Sequence, residues 1–513
     1  MSPLAFHDHL PVLPILLPLL TGALLVLLHR RSLMLRRSVA LIASVLLLGI
    51  GGAALIEVGG GSLQVYQLGN WPSWAGIVLV LDRLSALMLT LTAILGLVGL
   101  IYAAGGTDQR TPHFHALFQF QLAGLCGAFL TGDLFNLFVF FEVLLIASYG
   151  LLLHGGGVER YRRALHYVGF NLLGSLLFLI GVGWLYGLVG TLNMADMAAK
   201  IATAPAADLP LIRAAAITLL LVFAIKAALL PLYFWLPGTY AAATAPVAAL
   251  FAVMTKVGFY ASLRVSSLSL GTGAMAGFAD SLFLTLGAAT LILAALGALS
   301  ALSLRRLVAY LVVASAGTLF IALGQREADV TAAALYYLVH SSLAAALLFL
   351  LAEQIHARRR HAGDALNRPD ARLPAALGVG FAIAAIAAGG LPPLSGFLAK
   401  AWLLGAIELP DGSGSWTVIL IASFLMLISL VRAGSKLYWK HDDTPPAKLN
   451  TPIAEPVALL TLIGALLLLV IHAETVYRFT RDAAEQLARP QLYIDATVPK
   501  SRVPAPSMPE ATP

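Results

Sequence analysis

Cysteine and charged residues are scarce in this sequence. The single thiol, Cys126, cannot build a disulfide framework, an iron–sulfur cluster or a zinc site, and no cofactor or metal is expected. Charged residues make up 11% of the 513 residues, against about 25% in soluble domains. Hydrophobic residues make up 59%, and the mean hydropathy is +0.88. This composition excludes an ordinary soluble domain and predicts a polytopic membrane protein.

The motifs of several enzyme classes are also missing. There is no P-loop, dinucleotide-binding fingerprint or catalytic-triad arrangement, and the glycines at 155–157 are expected to form a turn before a basic loop. The net charge is +7, but the basic residues fall in short loops between apolar segments. That distribution is typical of membrane topology and requires no nucleic acid as a partner. We therefore do not predict an enzyme.

Apolar runs long enough to cross a bilayer as a helix recur along the whole chain. We predict an all-α polytopic membrane protein of about fourteen transmembrane helices, with breaks in the seventh and twelfth. The predicted spans are 10–28, 38–56, 77–103, 114–131, 133–153, 164–190, 211–237, 244–263, 279–302, 306–324, 330–352, 374–408, 416–438 and 453–472. The polar tail at 473–513 is expected to be a short helix followed by disorder.

Basic residues concentrate in the odd-numbered loops, such as Arg30 and Arg31 after the first span and Arg162 and Arg163 after the fifth. The positive-inside rule places these loops in the cytoplasm. The first span lacks the basic flank and the A-x-A site of a signal peptide, so we expect it to be retained. These features predict a multi-pass protein of a bacterial inner membrane with both termini on the periplasmic side.

Prolines interrupt two predicted spans beside a lysine. The first stretch, 224–237, reads AIKAALLPLYFWLP, and the second, 387–402, reads AAGGLPPLSGFLAKAW. Lys226 precedes its break, whereas Lys400 follows its own. Paired broken helices in two halves of a chain indicate an inverted repeat with a transport path near the midplane. The alternative is a chance similarity between two apolar stretches.

Several ionisable side chains are predicted to lie deep in apolar spans, where a charge costs at least about 2.5–3.5 kcal/mol and marks a functional site by default. They are Glu142, Lys226, Lys256, His340 and Lys400. A structural role is the alternative for each, such as a neutral hydrogen-bonded glutamate or a satisfied core histidine. Tyr336, one turn before His340, and the serines after it favour a proton relay. Side chains interpreted as helix–helix contacts are Asn171, Ser175 and Ser315.

Three stretches carry a family resemblance that covers roughly residues 75–430. They read GDLFNLFVFFEVLLIASYGLLL, KAALLPLYFWLPGTYAAATAPVAALFAVMTKVGFYASLRV and GGLPPLSGFLAK. Together they resemble the antiporter-like subunits of respiratory complex I and of the Mrp-type (multiple resistance and pH) Na+/H+ antiporters. The first stretch, with GTYAAATAP in the second, most resembles the D-type subunits of the Mrp antiporters.

The resemblance implies two inverted repeats and a chain of buried ionisable groups at mid-membrane. The implied organisation is 1–112 for the first three helices, 113–268 and 269–440 for the repeats, 441–472 for the last helix and 473–513 for the tail. Glu142, Lys226, Lys256, His340 and Lys400 match the family's glutamate, lysines and histidine on spans five, seven, eight, eleven and twelve. One departure is that Ser341–Ala346 lacks the lysine that many relatives carry about one turn after the histidine.

The function that the resemblance implies is proton translocation within a multi-subunit monovalent cation (Na+ or K+)/proton antiporter. Its expected partners are the other subunits of the complex, the lipid bilayer, protons and monovalent cations. A proton-pumping membrane subunit of complex I or of a membrane hydrogenase is the alternative within the same superfamily. A quinone-reactive oxidoreductase and a non-conducting scaffold are alternatives from other classes. The first is disfavoured because no cofactor motif is present, and the second because mid-membrane charges are costly.

Overall fold

The computed structural model describes residues 6–73, 76–271, 273–359, 361–440 and 451–498, and nearly all of them are helical. The first half of the chain forms helices α1 Leu13–Leu27, α2 Leu33–Gly59, α3 Arg83–Ala103, α4 Phe114–Leu130, α5 Leu134–Leu153, α6 Val158–Val189, α7 Met194–Ala202, α8 Leu209–Ala227, α9 Trp235–Ala242 and α10 Ala245–Ser267. The second half forms α11 Asp280–Ser300, α12 Leu304–Gln325, α13 Ala328–Arg358, α14 Ala375–Gly389, α15 Ser395–Ala406, α16 Ser413–Tyr438, α17 Ala454–Ile471, α18 Ala473–Leu487 and α19 Pro490–Thr497.

The prediction of a helical membrane protein is confirmed. Within the described ranges, eleven helices are long and apolar enough to cross a membrane. Three further apolar helices, α1, α4 and α14, are shorter. Each predicted span coincides with one of these helices or with one of them and its continuation. The number of fourteen crossings stays a prediction, because the shorter three fall below the usual crossing length.

The start of the third span differs from the prediction. Residues Val78–Leu81 form a strand, β2, that pairs antiparallel with β1, Gln64–Gln67. Helix α3 begins only at Arg83, because Asp82 and Ser85 form a capping box: the Ser85 amide donates to the Asp82 carboxylate at 2.8 Å, and the Asp82 amide donates to the Ser85 hydroxyl at 2.9 Å. The apolar run at 77–103 therefore contains both a strand and a helix, which hydropathy alone does not separate.

Both predicted interruptions coincide with helix ends. Helix α8 ends at Ala227, Ala228 adopts a left-handed conformation with φ 56°, and α9 begins at Trp235. The carbonyl groups freed at this end find donors, since the Leu229 amide binds the Ala224 carbonyl at 2.9 Å and the Trp235 indole binds the Ile225 carbonyl at 3.2 Å. In the second interruption, α14 ends at Gly389 and α15 begins at Ser395.

The C-terminal segment is more structured than predicted. Helix α18 packs against α13 and α3. The Tyr477 ring stacks on Trp402 with centroids 4.2 Å apart, and Arg481 lies 3.4 Å from the Asp329 carboxylate. Helix α19 follows it. Residues 499–513 of the predicted tail lie outside the described residues, as do residues 441–450 at the start of the predicted last segment, 441–472.

Candidate functional site

The candidate site is a series of buried ionisable side chains on helices that touch one another in turn. Helix α5 packs on α6, α6 on α8, α8 on α10, α10 on α12, α12 on α13 and α13 on α15. Each of the five predicted residues lies on one of these helices, so the packing brings the five into one continuous series. This series of helices runs from the first predicted repeat to the second.

The first part of the series joins Glu142 on α5 to Lys226 on α8 through helix α6. The Ser175 hydroxyl donates a short hydrogen bond to the Glu142 carboxylate. The Lys226 ammonium donates to the Asn171 side-chain carbonyl at 3.1 Å and to its backbone carbonyl at 3.4 Å. Asn171 and Ser175 are four residues apart and therefore share one face of α6. A polar face of α6 thus binds both charged side chains.

Glu142 and Lys226 form no direct ion pair of 4.0 Å or less among the described residues. Lys226 is only 7% exposed, and Glu142 is half-buried. Gly174, between the two polar residues of α6, also faces the lysine, since an added Cβ would lie 3.7 Å from the Lys226 ammonium nitrogen, an ordinary contact distance. Asn171 and Ser175, interpreted from sequence as helix–helix contacts, are therefore direct partners of the candidate residues. Their four-residue spacing in an apolar span was the sequence feature that could have indicated a shared polar face on this helix.

Lys226 and Lys256 lie on two helices in unusually close contact. Gly258, two residues after Lys256, packs against the end of α8, where an added Cβ would lie 2.5 Å from the Ala227 amide nitrogen. Because glycine has no side chain, α10 can approach α8 directly beside Lys226. The close approach sets the two lysines on neighbouring backbones inside the bundle.

Lys256 leads to the second half of the chain through Ser315. Its ammonium donates a short hydrogen bond to the Ser315 hydroxyl on α12, and Lys256 is only 1% exposed. Ser315 also lines a cavity of about 30 Å³, together with Tyr337, His340, Ser341 and the small side chains of α13. One water needs about 10–15 Å³ of such space. The cavity therefore has room for water between the partner of Lys256 and His340.

His340 is 2% exposed and contacts the second helix interruption. Its Nδ1 lies 2.8 Å from the hydroxyl of Ser395, the first residue of α15. Tyr336, predicted to accompany His340, points elsewhere: its hydroxyl donates to the Leu469 carbonyl at 2.8 Å. Tyr337 lines the cavity instead. Three- and four-residue spacings both place a side chain near His340 on a helix, so the sequence alone does not choose between the two tyrosines.

Lys400 lies at the second interruption. Its ammonium donates to the Gly389 carbonyl, the last of α14, at 3.1 Å. Gly390 has φ 79°, a conformation that favours glycine, and an added Cβ there would lie 2.9 Å from the Lys400 ammonium nitrogen. The lysine thus binds a carbonyl that the end of a helix leaves without an intrahelical partner. Lys400 is half-buried in this single chain.

The described residues contain no group of three or more histidine, cysteine or acidic side chains that could hold a metal ion. Cys126 is buried and unpaired. The chemistry that the five residues can supply is the uptake and release of protons by titratable groups, with hydroxyl and amide side chains between them.

The bundle and its buried axis define a class of protein: a polytopic membrane protein that carries ionisable groups through its interior, as ion and proton translocators do. The family described as NADH:quinone oxidoreductase/Mrp antiporter, TM, matches residues 131–429. The chain belongs to this family. The match covers every residue of the candidate axis.

Relatives and a solved structure agree with this assignment. The chain is 41% identical to a Rhizobium meliloti protein named as a probable K+/H+ antiporter subunit of type D, over 94% of this chain and 96% of that protein. It is 37% identical to the D-type Na+/H+ antiporter subunit of Bacillus subtilis, over 95% and 99% of the two chains. A chain of the Mrp complex structure from Dietzia sp. DQ12-45-1b matches with a TM-score of 0.86 and 27% identity, over 96% of this chain and 100% of that one.

Proposed function

We propose that this chain is the proton-translocating D-type subunit of a multi-subunit monovalent cation/proton antiporter. Its relatives carry the names of K+/H+ and Na+/H+ antiporter subunits, and the matched structure is that of an Mrp complex. It is a subunit of a secondary transporter and not an enzyme. The transported cation in this proposal is Na+ or K+, because the named relatives differ on that point.

The observation that carries the proposal is the series of ionisable residues on helices that pack against one another in turn. Glu142 and Lys226 share the polar face of α6, Lys256 binds Ser315, and a water-sized cavity separates Ser315 from His340. Buried ionisable groups in apolar helices are expensive and mark proton relays or ion pathways. A non-conducting scaffold supplies no reason for this series. The two predicted inverted repeats, 113–268 and 269–440, each contain part of it.

The proposed mechanism is an electrostatic switch at Lys226. A nearby carboxylate favours the charged ammonium, and neutralisation or withdrawal of that carboxylate favours proton release. The Glu142 carboxylate and the Lys226 ammonium bind the same face of α6, where Ser175 and Asn171 set the spacing between the two charges. A proton released from Lys226 passes by Lys256 and water towards His340 and Lys400.

The absence of a lysine one turn after His340, noted from the sequence, is compatible with the same proton path. No lysine follows within Ser341–Ala346, and Ser341 and Ala344 instead line the cavity. These small side chains leave space for water beside His340. Water therefore connects this part of the path.

The proposed location is a bacterial inner membrane, with both termini on the periplasmic side. A phosphatase fused after the C-terminal helices should be active, whereas a fluorescent protein that matures only in the cytoplasm should be dark there. The opposite pair of results would contradict the even number of crossings and the orientation.

The function is tested with a tagged chain purified from its native membrane. Partner subunits should co-purify, and vesicles that contain the complete complex should exchange Na+ or K+ for protons, whereas the chain alone should not. Co-purification of redox subunits would support the complex I or hydrogenase alternative instead. Full exchange by the isolated chain would contradict the multi-subunit proposal.

A further inference from the structure

A second polar series leaves Lys256 along α10 and ends at the face of the bundle that α18 and α19 cover. Lys256, Tyr260 and Arg264 follow one another at four-residue spacing and therefore share one face of α10. All three are buried. The Tyr260 hydroxyl donates to the Phe129 carbonyl at 2.6 Å and accepts from the Arg264 guanidinium at 3.2 Å. Tyr260 and Arg264 lie outside the axis from Glu142 to Lys400, and Lys256 belongs to both.

Arg264 forms a buried ion pair at the end of the series. Its Nη1 and Nη2 donate to the two carboxylate oxygens of Asp82 at 2.5 and 2.8 Å. Arg264 is 3% exposed and Asp82 is 1% exposed. Two parallel hydrogen bonds hold a guanidinium in one orientation. The capping box with Ser85 holds the carboxylate in turn.

The last described helix adds a further contact to the guanidinium. The Tyr493 ring of α19 lies 5.4 Å from the Arg264 guanidinium carbon, and the Tyr260 ring lies 5.3 Å from it. Both are within the range of a cation–π interaction. Arg264 is therefore enclosed by α3, its own helix and α19.

Two cavities lie on the far side of Arg264 from Lys256. The larger, of about 120 Å³, is lined by polar groups of α10, α11 and α13 and is covered by the end of α18. The smaller, of about 10 Å³, touches Asp82, Arg264 and Tyr493. Ser267, Leu487 and Pro490 line both, so the cavities adjoin. The larger has room for several waters, since each needs about 10–15 Å³. The side chains that give it polar character are Ser266, Ser267, Asp280, Arg326 and Thr331.

We infer that the Arg264–Asp82 ion pair, packed against Tyr493, is a barrier to protons between the two adjoining cavities, together called the vestibule, and Lys256. The inference rests on the proposed function, because it assigns Lys256 to the proton path. The Asp82 carboxylate cancels most of the arginine charge at a distance, but the guanidinium keeps its proton at any accessible pH and therefore cannot pass a proton on towards Tyr260 and Lys256. The barrier prevents protons from passing between Lys256 and the vestibule, so that protons leave Lys256 towards His340.

The test measures passive proton leak through the assembled complex in vesicles, without Na+ or K+ and with the membrane potential cancelled. The decisive variant is the neutral double substitution Asp82→Asn with Arg264→Gln, which leaves no buried charge unpaired. If the ion pair is a barrier, an imposed pH gradient should decay about tenfold faster than in the wild type, which corresponds to a barrier lower by about 1.4 kcal/mol. A structural ion pair predicts a gradient as stable as the wild type's, because the neutral pair can keep its hydrogen bonds.

A matched control is the double substitution Arg37→Gln with Asp108→Asn. Arg37 binds both Asp108 oxygens at 2.6 and 2.7 Å, and Asp108 is buried, but this pair lies away from α10. It should not leak. Where the Asp82 and Arg264 variant does not assemble, Tyr493→Ala should leak and Tyr493→Phe, which keeps the ring, should not.

A pH gradient as stable as the wild type's in the assembled double variant, or in Tyr493→Ala, would overturn the inference. So would an equal leak in the Arg37 and Asp108 control. The proton leak is measured separately from cation/proton exchange. If the wild-type complex showed no exchange, the proposed function would be wrong, but the comparison of proton leak between the variants would still test the role of Arg264.

Discussion

Asn171 and Ser175, one turn apart on α6, separate a half-buried carboxylate from a buried ammonium. Ser175 binds Glu142 and Asn171 binds Lys226. A direct ion pair at 4 Å would be worth about 4 kcal/mol at an effective dielectric of 20, and greater separation weakens it. The α6 face therefore leaves the lysine within the influence of the carboxylate without locking the two charges together. A switch needs an interaction of intermediate strength between the two charges, so that the lysine can release its proton.

Lys226 is the first residue to change. Lys226→Ala should abolish exchange by the assembled complex, and Lys226→Arg should also fail, because arginine keeps its proton at any accessible pH. Proton flux in vesicles with the complete complex measures this, with blots for every subunit. Lys200→Arg, on the short helix α7, is the control and should exchange normally.

Normal exchange by Lys226→Arg would show that Lys226 is a structural charge. In that case the double change Glu142→Ala with Lys226→Ala should restore much of the activity, because it removes both charges together. The switch mechanism predicts no such recovery.

The polar face of α6 should matter although it carries no charge. Ser175→Ala and Asn171→Ala should each slow exchange, because each removes a hydrogen-bond partner of a buried charge, at a cost of about 1–3 kcal/mol. The matched control is Ser148→Ala. Ser148 is a fully buried serine on α5 that contacts Tyr167 and lies outside the axis. Equal rates for Ser175→Ala and Ser148→Ala would remove Ser175 from the path.

The cavity beside His340 should be needed for conduction. Ala344→Leu adds a side chain to a space of about 30 Å³ and should displace the water there, so exchange should fall sharply while assembly persists. Ala376→Leu, at an exposed position of α14, controls for added volume and should be neutral. Unchanged exchange in assembled Ala344→Leu would rule out a water link at this place.

The contact between α8 and α10 should be sensitive to a single methyl group. Gly258→Ala places a Cβ against the Ala227 amide nitrogen and should destabilise the protein by about 1–3 kcal/mol, as overpacking does. Gly183→Ala, where an added Cβ meets nothing within 4 Å, should be tolerated. Thermal unfolding of the purified complex compares the two. Equal midpoints would show that α8 and α10 relax apart freely at Gly258.

Much of this protein follows from local sequence. Runs of apolar residues determine the helical membrane class, because a bilayer offers no hydrogen bonds to an open backbone. Proline and glycine mark where α8 and α14 end. The five ionisable residues stand out for the same reason: each is costly in an apolar segment. None of these conclusions requires knowledge of which helices touch.

Only the tertiary structure decided which groups the ionisable residues meet. Helix crossing and rotation set which faces come together, and a helical spacing of three or four residues admits more than one choice. The spacing therefore admitted Tyr336 beside His340, but the fold turns Tyr337 into the cavity. It also left Asn171 and Ser175 as ordinary polar contacts, whereas the packing of α6 between α5 and α8 makes them the link between Glu142 and Lys226. The pairing of Asp82 with Arg264 joins residues 182 positions apart, a distance that no local pattern spans.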